Sequence, residues 1–575
     1  MPNLRCVSLC DVNFVMHWLI QTNSFTPQTY SIHLQGINDS MLGTLIDGEW
    51  SEGGEEKQFG QRVFIRRQTN VRLLTSPSTS TTMVGTFRDR IKSISLIFAC
   101  GTALFSDGYA NGVIGSVNTI LTRIYGKDAL KSHNYSTVVN SLGFAGIVVG
   151  MLLFGYLSDK VGRKFGMMSA AGIVVVFSGL SAASSGANGR VGGLLNMLST
   201  MRFFLGIGVG AEYPCGSVSA SEQSEENGIR KGTWHRWLAL STNTMIDFGF
   251  VIAAFTPLVL FWIFGPDHLR AVWRLSLGLG IVPALAVFIW RLNMDEPVRY
   301  KKDSMQNVRI PYRLILRRYG RSLAAISFVW FLYDMIVYPF GIYSSTIVNN
   351  ITGGSTDLSV VFGWNVIINL FYMPGTIIGA FAIDYLGPRY TLIIGLVLQA
   401  VIGCFMSGFY SKLTNHISAF AVVYGIFLSF GEFGPGNCTF ILASKSCPTA
   451  VRGQFFGVAA AVGKVGAFVG TWMFPPIIDA FGGPDTLRGN TGPFWIGSGL
   501  AIASALVTLA FIRPLTSDGM AREDREFREY LEVHGYDTSQ MGLHIVEYDS
   551  STILDDPTEA EKQDLNDSEE RGRSR

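Results

Sequence analysis

The chain has 575 residues, of which 48% are hydrophobic and 15% charged, with a mean hydropathy of +0.30. A soluble protein of this length needs more charge to cover its surface, so the balance points to lipid as the solvent. The formal net charge of +2 is too small to mark a nucleic-acid binder. Seven scattered cysteines with no CxxC pair support neither a disulfide framework nor a metal site.

Residues 1–90 carry no apolar run of spanning length. They are expected to form a cytoplasmic tail without fixed structure, because Arg5, Asp11 and Asn13 interrupt the first twenty residues as a signal peptide. From Ser93 onward, apolar segments of roughly 20 residues, the length needed to cross a bilayer, recur. Six lie near 93–121, 136–157, 166–186, 192–218, 237–263 and 271–290, and six more near 322–345, 359–384, 390–410, 417–443, 454–478 and 494–512. The pattern predicts an all-α membrane protein of twelve transmembrane helices in two six-helix halves, 91–292 and 321–513. A basic link, 293–320, carries Arg299, Lys301, Lys302, Arg309, Arg313, Arg317 and Arg318. An acid-rich tail, 514–575, is expected to be unstructured.

Orientation is read from the short loops. Lys160, Arg163 and Lys164 follow the second segment, Arg230, Lys231 and Arg236 follow the fourth, and the basic link follows the sixth, which places these loops and both termini in the cytoplasm. Two glycosylation sequons, at Asn134 and Asn350, then fall outside the cell. No histidine sits in mid-segment, so any proton chemistry in the membrane falls to carboxylates.

The halves repeat. Asp107 answers to Asp334, Asp159 and Gly162 of GYLSDKVGRK answer to Asp384 and Gly387 of AFAIDYLGPR, and Arg230 answers to Arg452. The triplet Glu212-Tyr213-Pro214 answers to Glu432-Phe433-Gly434-Pro435. Duplicated halves place a substrate site at the midplane between them. Buried charge marks that site further. Asp107, Glu212, Asp247, Asp334, Glu432 and Lys464 lie in apolar segments, where each is costly without a role. Lys464, among glycine, alanine and valine, is suited to meeting an anion; the simpler reading is a static Lys464–Asp334 pair. Arg202 is expected to face inward to Asp107, or else to snorkel to the surface.

The stretch Gly155–Lys164 resembles the loop between the second and third helices of the major facilitator superfamily. Gly155, Asp159, Gly162 and Arg163, with Asp384 in the second copy, are read as a conformational latch. Arg202 through Gly208 resembles the same superfamily's fourth helix. FSDGYANGVIGSVNTIL, RFFLGIGVGAEYPCGSVSASE, WFLYDMIVY, FGEFGPGN and GKVGA resemble the fungal phosphate:proton symporters, and within that group the glycerophosphodiester permeases. The resemblance implies phosphoryl contacts from Tyr213, Trp330, Asp334 and Tyr338, charge balance from Lys464, and a proton path through Asp107, Arg202 and Glu212. The glutamine that the phosphate symporters use in segment five has no clear match, Asp247 lying near its place; their asparagine in segment ten falls near Gly436 or Asn437, with Glu432 an added acid, and both departures suit a larger, hydroxyl-bearing ligand. The expectation is therefore a plasma-membrane importer, not an enzyme, driven by the proton gradient with no other cofactor. It would act as a monomer on a small organophosphate, with no nucleic-acid partner and no catalytic or metal site. An inorganic phosphate symporter and a non-transporting nutrient receptor are the alternatives, and the headgroup stays open between inositol and choline.

Overall fold

The computed structural model describes residues 87–131, 134–225, 229, 232–351, 357–515 and 519–542. The expectations for the N-terminal tail, for Arg230 and Lys231 and for the far end of the acidic tail lie outside these residues. Among the described residues every regular element is helical. Ten stretches are long and apolar enough to cross a membrane. One of them, Leu358–Thr414, has 57 residues and supplies two crossings, because Gly387 turns the chain at φ 76°. The first segment falls short of that standard because Ser106, Asp107, Asn111, Ser116 and Asn118 dilute it. With it, twelve crossings are present, as the sequence predicts.

The helices are numbered α1 to α12 by crossing. In the first half, α1 comprises Phe87–Gly101, a 3-10 turn at Thr102–Leu104, and Phe105–Tyr125. α2 is Tyr135–Lys160 and α3 is Arg163–Ala182. α4 is Val191–Glu212 with its continuation Val218–Ser224, α5 is Trp234–Ser241 with Asn243–Phe264, and α6 is Leu269–Gly278 with Ile281–Arg291. In the second half, α7 is Tyr312–Ile351, α8 begins with Leu358–Leu370 and ends at Gly387, and α9 runs from there to Thr414. α10 is Ile417–Gly431 with Asn437–Lys445, α11 is Arg452–Ala480 and α12 is Leu487–Phe511.

Two local devices repeat between the halves. α4 and α10 each widen into a single π turn, at Tyr213–Ser217 and Glu432–Gly436. Pro214 and Pro435 lie inside these turns, where a missing N–H removes a rung of the usual ladder. Close helix approach repeats as well. A Cβ on Gly249 of α5 would lie 2.3 Å from the Phe105 carbonyl oxygen of α1, and one on Gly466 of α11 would lie 2.2 Å from that of Phe331 in α7. By this packing Asp247 and Lys464, each two residues before its glycine, are structural counterparts.

The acidic tail departs from expectation. Gly519–Val533 forms a helix beyond the twelve crossings, α13, burying Met520, Asp524, Phe527 and Leu531 along one face. Its charges meet the basic link: Arg318 pairs with Glu526 at 3.1 Å and Arg528 with Asp303 at 2.8 Å. Asn134 is exposed in a left-handed conformation where α2 begins. Asn350 lies within the last turn of α7, not in a loop.

Candidate functional site

Spacing of four along α7 sets Trp330, Asp334 and Tyr338 on one face, and all three line a narrow cavity between the halves with Tyr213, Asp247, Glu432 and Lys464. Lys464, 1% exposed, is the single cation on that wall among the described residues. Its Nζ lies 3.4 Å from Asp334 Oδ2 and 3.9 Å from Asp107 Oδ2, and donates to the Tyr338 hydroxyl. The Tyr213 ring centroid is 5.0 Å away. Tyr213 donates to Asp107 Oδ2 at 2.5 Å, Tyr338 to the same oxygen at 3.3 Å, and Asn111 Nδ2 to Asp107 Oδ1 at 2.6 Å. The Asp334–Lys464 pairing is thus present, but it is one part of a five-residue cluster, with Asp107, Tyr213 and Tyr338, that ties α1, α4, α7 and α11 together.

Across the cavity, Glu432 accepts from the Tyr333 hydroxyl at 2.8 Å and from Asn243 Nδ2 at 3.0 Å. The same amide reaches Asp247 Oδ2 at 3.3 Å. Glycine makes the arrangement possible. A Cβ on Gly436, one turn beyond Glu432, would sit 2.0 Å from Glu432 Oε2.

The structure separates several residues that the sequence joined. Arg202 does not pair with Asp107; it is buried and donates to the Ala110 carbonyl oxygen at 3.0 Å, leaving Nε without a hydrogen-bond partner. Asp107 had no need of it, being saturated by hydroxyl and amide donors. Glu212 pairs with Arg291 at the end of α6, whose Nη1 lies 2.8 Å from both carboxylate oxygens. Sequence reasoning missed Arg291, which looks like an ordinary positive flank of a span. Asn437 stands behind the cavity wall, donating to the Thr376 carbonyl oxygen of α8 at 2.8 Å and accepting from the Thr376 hydroxyl at 3.2 Å.

At one end of the bundle the latch residues converge. Arg163 Nη1 donates to Asp159 Oδ1 at 2.6 Å, and its Nη2 lies 3.1 Å from Glu222 Oε1. Asp159 also accepts from the N–H groups of Gly453 and Gln454 at 2.9 and 2.8 Å, at the start of α11. Helix N-termini present such unpaired donors, so Asp159 fastens the first half to the second. Gly155 allows the approach, since a Cβ there would meet the Gly453 carbonyl oxygen at 2.9 Å. Gly162, at φ 145°, turns the chain into α3, whose first N–H groups are capped by Glu296 at 3.1 and 3.0 Å. Burial pushes the Glu296 carboxyl above its ordinary range, and the Lys164 N–H pulls it back. Asp384 mirrors Asp159 by binding Arg236 of α5 at 2.8 Å. Glu222, Arg452 and Lys445, which the sequence reading did not place in the latch, complete it. Arg452 pairs with Glu222 at 3.2 Å and Lys445 with Glu225 at 2.7 Å. At the other end, the Thr119 and Ser345 hydroxyls lie 3.2 Å apart across the halves.

A sequence profile described as sugar (and other) transporter matches residues 95–309 and 312–517. The chain belongs to that transporter family. Within it, the chain is 47% identical over 455 residues to the glycerophosphocholine permease GIT4 of Candida albicans, covering 79% of this chain and 84% of the relative. It is 43% identical over 451 residues to the major glycerophosphoinositol permease GIT3 of the same organism, covering 77% and 83%. Relatives described as inorganic phosphate transporters match at lower identity. In structure the chain is similar to the proton:xylose symporter XylE of E. coli, with a TM-score of 0.60 at 18% identity, over 76% of this chain and 99% of that one. At that identity the likeness supports the major facilitator fold alone. The family is one of membrane transporters, which accounts for charged side chains gathered in a buried cavity.

Proposed function

We propose that the protein imports a glycerophosphodiester across the plasma membrane, coupled to protons, by alternating access between its two halves. The observation that carries this is Lys464, buried on the cavity wall and shared between one carboxylate from each half, Asp107 and Asp334. A lysine so held is not free for a phosphoryl group. A proton arriving on Asp107 or Asp334 cancels one of its two counter-charges, and Nζ and the hydroxyls of Tyr213 and Tyr338 then become donors for the two non-bridging oxygens of a phosphodiester. Proton and substrate would thus load in order. Asp107 is the member of the expected proton path that touches this cluster. Glu212, locked to Arg291, and Arg202, bonded to backbone, act on helix packing instead.

The diester is favoured over inorganic phosphate by charge. Asp107, Asp334, Asp247 and Glu432 surround one lysine, and a phosphate dianion would meet stronger repulsion there than a diester monoanion. With the latch end in the cytoplasm, release inward requires Asp159 to let go of the α11 N-terminus. The test is uptake of labelled glycerophosphodiesters by cells lacking other permeases, at acidic and neutral external pH, with and without a protonophore. Uptake that rises in acid, collapses with the protonophore and resists excess phosphate is expected. Phosphate competing better than any diester would overturn the reading.

A further inference from the structure

Among the described residues, the buried arginines and lysines other than Arg202 each pair with a carboxylate: Arg163, Arg291, Lys445, Arg452 and Lys464. Arg202, only 2% exposed, has no acid within ion-pair distance. Its Nη1 donates to the Ala110 carbonyl oxygen, and its Nε has no hydrogen-bond partner. Its Nη2 side packs on bare backbone of α2, where a Cβ on Gly143 would lie 3.3 Å away. A buried carboxylic acid escapes its charge by taking a proton, but a guanidinium keeps its charge throughout the physiological pH range. The Ala110 carbonyl supplies a dipole and not a counter-charge. An uncompensated cation in a membrane core is costly, and here protonation chemistry offers no relief.

Arg202 lines a small cavity inside the first half, between α1, α3, α4 and α6, which shares no lining residue with the one that holds Lys464. No carboxylate lines it. Its neutral polar groups are hydroxyls, and two of them are engaged: Ser181 donates to the Phe177 carbonyl oxygen at 2.7 Å and Tyr109 to that of Ser276 at 2.6 Å. The hydroxyls of Ser106 on α1 and Ser178 on α3, both buried, have no hydrogen-bond partner among the described residues. One cavity thus collects three unused donors, one of them charged. It has room for a guest of about the size of a water molecule. Water would satisfy the donors but leave the charge, and a phosphoryl group is too large.

We infer that this cavity binds a small monovalent inorganic anion of the halide class, with chloride as the physiological member. The ion accepts from Arg202 Nε and from the Ser106 and Ser178 hydroxyls, joining α1, α3 and α4 around a common charge. It is not cargo, since it lies within one half and away from the cavity between the two. Ser106 immediately precedes Asp107, so the ion also steadies the turn of α1 that carries a partner of Lys464. The inference is independent of which organophosphate is transported.

The test is thermal melting of the purified full-length protein in chloride and in gluconate at equal ionic strength, gluconate being too large for the cavity. A hundredfold rise in chloride should raise the melting temperature by about 2 °C or more along a saturating curve. Bromide should substitute for chloride and sulfate should not. In the Ser106→Ala/Ser178→Ala variant the chloride concentration giving half the shift should rise at least about tenfold, because two donors to a charge are gone. In Arg202→Gln the chloride response should vanish. A wild-type melting temperature indifferent to chloride overturns the site, and so does a response that the serine variant retains unchanged. That variant breaks no hydrogen bond among the described residues, so it decides even if Arg202→Gln does not fold.

Discussion

Lys464→Met keeps most of the side-chain volume and removes the charge. At an effective dielectric of about 20, the attraction across 3.4 Å to Asp334 is about 5 kcal/mol and across 3.9 Å to Asp107 about 4 kcal/mol. These are gross values, set against the cost of desolvating the lysine. The net effect of removing one partner of a buried pair is about 3–5 kcal/mol, because the other charge is left uncompensated. The substrate loses its counter-ion as well, and about 3 kcal/mol of lost binding corresponds to more than about 100-fold. Uptake per surface molecule should therefore fall by at least that factor, with a lowered melting temperature for the purified protein. Adding Asp334→Asn to Lys464→Met removes one orphaned acid. The double variant should regain most of the thermal stability but none of the uptake. If Lys464→Met alone transports within about threefold of wild type, or if the double variant recovers transport, Lys464 is not the phosphoryl counter-ion.

Gly436→Ala places a methyl group 2.0 Å from Glu432 Oε2 and 2.8 Å from Asn243 Nδ2, so the Glu432 side chain must leave its place. Overpacking of this kind costs about 1–3 kcal/mol, and uptake should fall at least about tenfold, read in the same cells. Glu212→Gln leaves Arg291 without its counter-charge and should lower stability by about 3 kcal/mol or more. Molecules that reach the surface should still accumulate substrate against a gradient, since the coupling proton is assigned to the Lys464 cluster; loss of accumulation with exchange intact would return the proton to Glu212.

Much of this arrangement was written openly in the chain. Charges stand out in apolar segments, so Lys464, Asp334, Asp247 and Glu432 were legible, as was the shared face of Trp330 and Tyr338. Pairing was harder to read. Arg291 lies 79 residues from Glu212, and nothing local distinguishes it from a membrane-flanking arginine. Asp107 looked in need of Arg202 because its donors, Tyr213 and Asn111, carry no charge to betray them and its cation, Lys464, comes from the other half of the chain. The helix α13 hid behind a polar, acidic composition, although Met520, Asp524, Phe527 and Leu531 recur every three or four residues as a buried face does. Asn437 misled because its neighbour in sequence, Gly436, borders the site while Asn437 itself turns to α8.

Asp524 of α13 accepts from the Thr449 N–H and hydroxyl at 2.6 and 2.8 Å, and lies 3.7 Å from Arg452 and 3.6 Å from Arg299 of the link. One carboxylate thereby clamps the foot of α11 to the connector between the halves. In the proposed cycle, parting the halves at that end would strip Asp524 from one side or the other, so the barrier for that step would be raised by a residue that never meets the cargo. Turnover and selectivity would then be encoded in separate places, and a change in α13 would alter how fast the protein works without altering what it carries.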